Sequence, residues 1–199
     1  GAPCIPDGAS SDLNATLRQT AAEARRRWPA MRPVALCADL LVIGEGAKLG
    51  YPPARVWGCP TTAMWVYRIG AERAKRLLLT GDTIDGRTAE SWGLGQCVPD
   101  STLDDTIEDL AQRIATIPRN QLIMQKLMVN QTLENMGIAS TQTLATLLDG
   151  IARHSPEGVN FKQRAETLGW KQAVRDRDEG TFDWTRNQPF KKEPGEDNS

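Results

Sequence analysis

The spacing of apolar residues changes along the chain, and each change predicts an element. Leu13, Leu17, Ala21, Ala24 and Trp28 recur at the period of one helix face, with Asp12 or Asn14 as the cap. Trp28-Pro29 ends that helix, and Pro33 restarts the chain in extended form. Residues 34–37 form a short apolar segment, Ala38-Asp39 interrupts it, and residues 40–43 are an unbroken apolar run. Such a run fits a strand covered on both faces, as in an α/β protein. Gly44, Gly46 and Gly50 bracket a hairpin-sized connection. Residues 49–60 carry Gly50, Pro52, Pro53, Gly58 and Pro60, so many dihedral constraints that the segment reads as an ordered loop. Thr61 or Thr62 then caps a helix holding Met64, Trp65, Tyr67, Arg68 and Ile69; Gly70 stops it, and another covers residues 71–79. A turn at Thr80-Gly81, a short helix over 88–92 and an extended piece over 94–98 complete the first half.

The second half is helical. Leu103, Ile107, Leu110, Ala111 and Ile114 mark one amphipathic helix that Pro118 ends. Helices follow over 121–133 and 138–152, the latter with Leu144, Ala145, Leu148 and Ile151 apolar. Met124, Met128 and Met136 read as core or subunit packing. Glu157-Gly158 opens a shorter helix through Phe161, Arg164 and Leu168, with Trp170 and Val174 as the last packing anchors. From Asp176 the sequence is strongly charged, and the terminus over 191–199 is expected to be disordered.

The 199 residues are one domain or one domain with an appendage, long enough to bury a core. A net charge of -1 gives no global pull toward nucleic acid or an anionic membrane. The basic runs at Arg25-Arg26-Arg27 and at Arg73, Lys75 and Arg76 lack the interleaved aromatics of a nucleic-acid surface. No apolar run approaches the roughly 20 residues that span a bilayer. Cys4, Cys37, Cys59 and Cys97 are widely spaced, which suits buried thiols in a reducing compartment; a cytoplasmic location is expected. His154 is the only histidine and has no second metal ligand at a recognisable spacing, so it reads as a helix-end residue. Cys59 reads as a small buried hydrophobe and Asp39 as a turn carboxylate.

With those segments placed, the chain resembles the crotonase superfamily, the enoyl-CoA hydratase/isomerase family. Leu77-Leu78-Leu79-Thr80-Gly81, Ile84, Ala89, Gly93-Leu94 and Val98 carry the likeness most strongly. Pro33-Val34, Ala38-Asp39-Leu40, Leu49-Gly50-Tyr51-Pro52 and Pro60 lie upstream in the family's order; Glu157-Gly158, Phe161 and Arg164 lie downstream. The resemblance covers roughly residues 30–165. It implies an α/β spiral of ββα units, incomplete at the N-terminus, with a helical C-terminal region. The partition is a partial core over 1–100, a helical trimerisation region over 101–175 and a charged tail over 176–199. It also implies an acyl-CoA thioester as substrate or ligand, with coenzyme A part of the substrate and no separate cofactor. The family setting is fatty acid metabolism. The expected assembly is a homotrimer or hexamer, or a pairing with a complementary chain, without nucleic acid or membrane.

The chemistry follows physically. A thioester enolate carries charge on one oxygen, two fixed N–H groups stabilise it there, and carboxylates move protons at the adjacent carbons. The sequence departs from the family at three places. Ile5-Pro6 stands in what remains of the first donor loop, and proline has no N–H to donate. Val34 runs directly into Ala35, where the family inserts the second donor and the first glutamate. Pro53 stands at the second glutamate's position. The catalytic candidate that remains is Asp39; Asp82 and Asp85 lie near the right motifs without matching the catalytic position, and Glu45 sits in a Gly-Glu-Gly turn. Gly50, Pro52, Lys126 and Lys162 are the substrate-binding candidates, the lysines for phosphates of coenzyme A. The alternative is a catalytically inactive fragment or structural subunit of the same fold, lacking both glutamates.

Overall fold

The computed structural model describes residues 35–60 and 64–190. The helix expected over 13–28, the cap at Thr61 or Thr62 and the terminus over 191–199 lie outside those residues. After a single 3-10 turn, Ala35–Cys37, the elements are β1 (Val42–Gly44), β2 (Leu49–Gly50) and α1 (Met64–Thr80). Next come β3 (Thr83–Ile84), α2 (Gly86–Ser91) and β4 (Gln96–Val98). Five helices then run in succession: α3 (Leu103–Ala115), α4 (Arg119–Asn135), α5 (Ile138–His154), α6 (Pro156–Leu168) and α7 (Trp170–Glu179). A short ribbon, β5 (Phe182–Asp183) and β6 (Gln188–Pro189), follows them.

The apolar run at 40–43 makes a shorter strand than expected, starting at Val42, and Leu40 is exposed. Its connection to β2 is not a hairpin. β1 pairs in parallel with β4, Val42 opposite Gln96 and Ile43 opposite Cys97, whereas β2 pairs antiparallel with β3. The turn between them closes on Ala47 N–H to Gly44 O at 3.0 Å, while Glu45 N–H continues the β1–β4 ladder to Val98 O at 2.9 Å. Both strands thereby direct Ile43 and Leu49 into one core with Leu36, Trp65, Ile69, Ala74, Leu77, Ala89 and Leu94. α1 supplies much of that core and is broken at Gly70, whose φ of 78° and ψ of 166° divide it where the sequence predicts. A left-handed φ of this kind favours glycine, because it has no Cβ to clash.

A second core gathers Val56, Phe161, Ala173, Phe182 and Trp184. Its rings touch in tilted and edge-on pairs: Phe182–Trp184 at 4.6 Å, Phe161–Trp184 at 5.2 Å and Phe161–Trp170 at 5.4 Å. The packing anchors therefore extend past Trp170 and Val174 to the ribbon. Charge does not mark the end of the fold at Asp176. Asp176 and Arg177 are buried, and Arg164 Nε meets Asp176 Oδ2 at 2.7 Å. Gln172 Nε2 donates to the other oxygen at 2.8 Å, and the Arg164 guanidinium lies 4.1 Å over the Phe182 ring. The carboxylate is thus paired and hydrogen-bonded, as burial of a charge requires.

α3 and α4 bury no residue fully, and Met124, Met128 and Met136 are exposed. Within this chain the methionines are not core. Among the described residues no helix is long and apolar enough to cross a membrane.

Asp176→Ala leaves Arg164 half-stripped of water without its partner. It is expected to lower unfolding stability by about 3 kcal/mol, the scale of breaking a buried pair. Urea denaturation followed by circular dichroism checks this; a loss below about 1 kcal/mol contradicts the structural role given to the pair.

Candidate functional site

Two places carry the residues that the sequence singles out, and both border α1. The first is the loop over 49–60. Gly50 ends β2 opposite Thr83, and a Cβ there would meet Asp82 O at 2.3 Å, so only glycine fits. Pro52 takes the first position of a 3-10 turn, Pro52–Arg55, which Ala54 N–H closes on Tyr51 O at 2.9 Å. Pro53 is inside that turn and has no proton to exchange. Trp57 follows with φ of 83°, a left-handed conformation for a bulky residue that costs of order 1–3 kcal/mol. The aromatic core holds it there: Trp57 lies 5.5 Å from Phe161 and 6.2 Å from Trp170, with the Arg153 guanidinium 5.8 Å over its ring.

The loop ends on a buried carboxylate. Asp149, 8% exposed, projects from α5 and accepts the Cys59 N–H at 3.1 Å. Arg153 one turn along pairs with its other oxygen at 2.9 Å. The Tyr51 hydroxyl donates to Cys59 O at 3.3 Å, which closes the loop on itself. Desolvation, with the Asp149 charge second, pushes both the Tyr51 phenol and the Cys59 thiol above their ordinary values. Both are protonated at neutral pH, so neither serves as a ready nucleophile or base. Cys59 is half-buried and held through its backbone, not the simple buried hydrophobe expected.

The second place is a groove of about 510 Å³ between residues 37–39, α1, α4 and the start of α5. Here the structure brings Asp39 and Lys126 together: Lys126 Nζ lies 2.5 Å from Asp39 Oδ2. Their side chains are 61% and 58% exposed, so the pair is well solvated and contributes little. Arg68 is the organiser. It donates to Leu36 O at 3.1 Å and to the carbonyls of Ala38 and Asp39, satisfying the end of the 3-10 turn. The Tyr67 hydroxyl donates to Met136 O at 3.1 Å and fixes the α4–α5 corner to α1. Sequence spacing gave no hint of Arg68 or Asp149, because both act on segments distant in sequence. Cys37 also lines this groove and is exposed, unlike the buried thiol expected.

The remaining candidates, apart from Asp82 beside Arg55 of the loop, lie away from both places. Lys162 pairs on α6 with Glu166 at 3.7 Å, an exposed contact one turn apart. Glu45 pairs with Arg87 at 2.7 Å, and Asp82 with Arg55 at 3.3 Å. Asp85 caps α2 by accepting Thr88 N–H at 2.8 Å, and the Thr88 hydrogen bonds hold its carboxyl below the usual range. His154 closes α5 with Nδ1 at 2.8 Å from Gly150 O, a helix-end residue as expected. Among the described residues no cluster of three His, Cys, Asp or Glu side chains could hold a metal.

A parallel strand pair and an antiparallel one, a glycine–proline loop against a kinked helix, and a C-terminal run of helices together define a crotonase-type α/β fold. The Enoyl-CoA hydratase/isomerase family model matches residues 32–172, and the chain belongs to that family. It is similar to a crystal structure of enoyl-CoA hydratase from Mycobacterium smegmatis, with 50% identity and a TM-score of 0.71 over 73% of this chain and 51% of that one. An enoyl-CoA hydratase/isomerase structure from Xanthobacter autotrophicus matches at 25% identity and a TM-score of 0.68, over 73% of this chain and 56% of that one. The 1,2-epoxyphenylacetyl-CoA isomerase of Escherichia coli is 33% identical over 126 residues, 58% of this chain and 43% of that protein. The chain spans about half the length of these relatives.

Two outcomes test the loop. Asp149→Ala removes the acceptor of a partly buried N–H and is expected to cost about 1–3 kcal/mol, read by urea denaturation. Tyr51 has a raised pKa in the folded state, so its contribution is fully present below the unfolded value of about 10 and fades as pH rises through the folded value. The fall in stability between pH 8 and 11 is therefore expected to be shallower in Tyr51→Phe; equal slopes count against a buried, neutral phenol.

Proposed function

We propose that this chain binds and acts on an acyl-CoA thioester as part of an enoyl-CoA hydratase/isomerase-type unit. The observation that carries the reading is the family match over residues 32–172, which includes the whole 49–60 loop. That loop keeps its shape-setting Gly50 and Pro52 and is fixed by Asp149, so a thioester would meet a preformed wall. The polarised carbonyl oxygen needs paired N–H donors, and proton transfer needs a carboxylate. Pro53 supplies neither, so the reading is of thioester binding with enolate-type chemistry and not of hydration by two glutamates. Asp39 is the remaining carboxylate candidate, paired with Lys126 in the groove. Coenzyme A enters as part of the substrate, and its phosphates would draw on Lys126 or Lys162.

The exposed apolar stripes Met124, Leu127 and Met128 on α4 and Leu144, Leu147, Leu148 and Ile151 on α5 support assembly into a trimer or hexamer through the helical region. The acyl-CoA reading sets the protein in fatty acid metabolism, in a cytoplasmic setting.

Calorimetric titration with crotonyl-CoA, coenzyme A and crotonate tests the first reading. The thioester is expected to bind in the micromolar range and at least tenfold more tightly than crotonate. Absence of thioester binding at millimolar concentration removes the proposal. For assembly, light scattering is expected to show a trimer or larger species that Leu127→Glu with Leu148→Glu reduces to a monomer. An unchanged mass for the double variant places the interface elsewhere.

A further inference from the structure

Arg177, in the last turn of α7, is 8% exposed, yet only part of its guanidinium is paired. Nε donates to Asp178 Oδ1 at 2.7 Å, while Nη1 and Nη2 meet no acceptor among the described residues. Buried donors without acceptors are costly, and a ligand that supplies acceptors removes that cost. The surroundings belong to the 49–60 loop. The Arg177 guanidinium lies 5.8 Å over Phe161, Phe161 lies 5.5 Å from Trp57, and Arg153 lies 5.8 Å over Trp57. The Tyr51 hydroxyl belongs to the same neighbourhood. Its bond to Cys59 O is 3.3 Å, long for an O–H donor and open to exchange for a shorter one. Desolvation first, and the Asp149 charge second, keep this phenol protonated, while Arg153 and Arg177 act on it in the opposite sense. A Cβ on Gly58 would stand 3.1 Å from the hydroxyl oxygen, so the glycine keeps the space beside it open.

We propose that the Nη edge of Arg177 and the Tyr51 hydroxyl bind the carboxylate of a ligand. The paired N–H groups of a guanidinium match a carboxylate or a phosphate in shape. Charge selects between them. Two carboxylates already stand beside these donors, Asp149 neutralised by Arg153 and Asp178 held by Arg177 Nε. A dianionic phosphate would set two more negative charges against them, whereas a carboxylate brings one. The site is also preorganised. Arg55 Nη1 donates to Asp178 O at 3.2 Å, which ties the Pro52–Arg55 turn to the end of α7 and so holds Tyr51 and Arg177 in register. The identity of the ligand rests on the acyl-CoA reading, in which the 49–60 loop is a wall for the thioester: it is an acyl group that carries a free carboxylate. Lys126 and Lys162, which serve the coenzyme A phosphates in that reading, pair with Asp39 and Glu166 and leave this site to the acyl end.

The test is calorimetric titration of the full chain with glutaconyl-CoA and with crotonyl-CoA, which differ by one carboxylate. Glutaconyl-CoA is expected to bind about tenfold or more tightly than crotonyl-CoA. That ratio is expected to fall below about twofold in Arg177→Gln, and by about threefold in Tyr51→Phe, which keeps the ring and loses the donor. Urea denaturation checks that each variant folds; where Arg177→Gln does not, the ratio in Tyr51→Phe decides. Equal affinities for the two thioesters, or a preference that the variants leave intact, overturn the proposal. If neither thioester binds, the acyl-CoA reading falls separately, and glutarate and inorganic phosphate are titrated instead. Glutarate binding that depends on Arg177 or Tyr51 then upholds the carboxylate site. No glutarate binding at millimolar concentration, or tighter binding of phosphate, overturns it.

Discussion

The carboxylate of Asp149 is the constraint on which the two halves of this molecule depend. It sits on α5, 90 residues from the backbone N–H of Cys59 that it accepts. One oxygen holds the end of the glycine–proline loop and the other holds Arg153, whose guanidinium lies over Trp57. Trp57 in turn sits in a left-handed conformation that its own side chain disfavours, stabilised by Phe161 and Trp170. A buried carboxylate with one backbone donor and one guanidinium is satisfied, and so it can fix a strained loop against a helix without leaving a bare charge inside.

α1 divides the chemistry. On one side the loop carries Gly50, Pro52 and Pro53; around its start, Tyr67 and Arg68 build a groove with Asp39 and Lys126. A carboxylate and a lysine 87 residues apart meet at 2.5 Å because Arg68 gathers the carbonyls beside Asp39. The same arrangement separates Lys162 from them, on α6 with Glu166. The chain belongs to the enoyl-CoA hydratase/isomerase family, and Pro53 in its loop shapes a turn and has no proton to exchange. Geometry of the loop and identity of its residues thus give different information: the first supports binding, the second limits the chemistry.

The helical region has more apolar surface than its own core uses. α3 and α4 bury no residue, and methionines that suit a core by composition are exposed. Sidedness explains this better than amount. α4 places apolar groups on opposite sides, one toward the groove and one outward, and α5 keeps Asp149 inside while Leu144, Leu147, Leu148 and Ile151 face out. A helix with two apolar stripes requires two neighbours, and that is a property of its sequence that one layer of packing cannot satisfy.

The sequence by itself determined the helices between 64 and 168, the break at Gly70, the ordered loop and the family, because period, glycine and proline act locally, whereas α7 over Trp170–Glu179 read only as packing anchors and a charged tail. Pro53 was legible in the same way, since the absence of a titrating group needs no fold to be read. Tertiary structure alone decided the strand partners. The connection after Ile43 looked like a hairpin, but Glu45 N–H bonds to Val98 O and β2 turns to β3, a choice between distant strands that local spacing does not encode. It also decided that Asp176 is buried and paired with Arg164, where a charged run reads as a solvated tail. The loop's anchor at Asp149 and the groove's anchor at Arg68 belong to the same class. Each is a long-range polar contact whose partner is a backbone group, and a backbone group leaves no mark in the sequence.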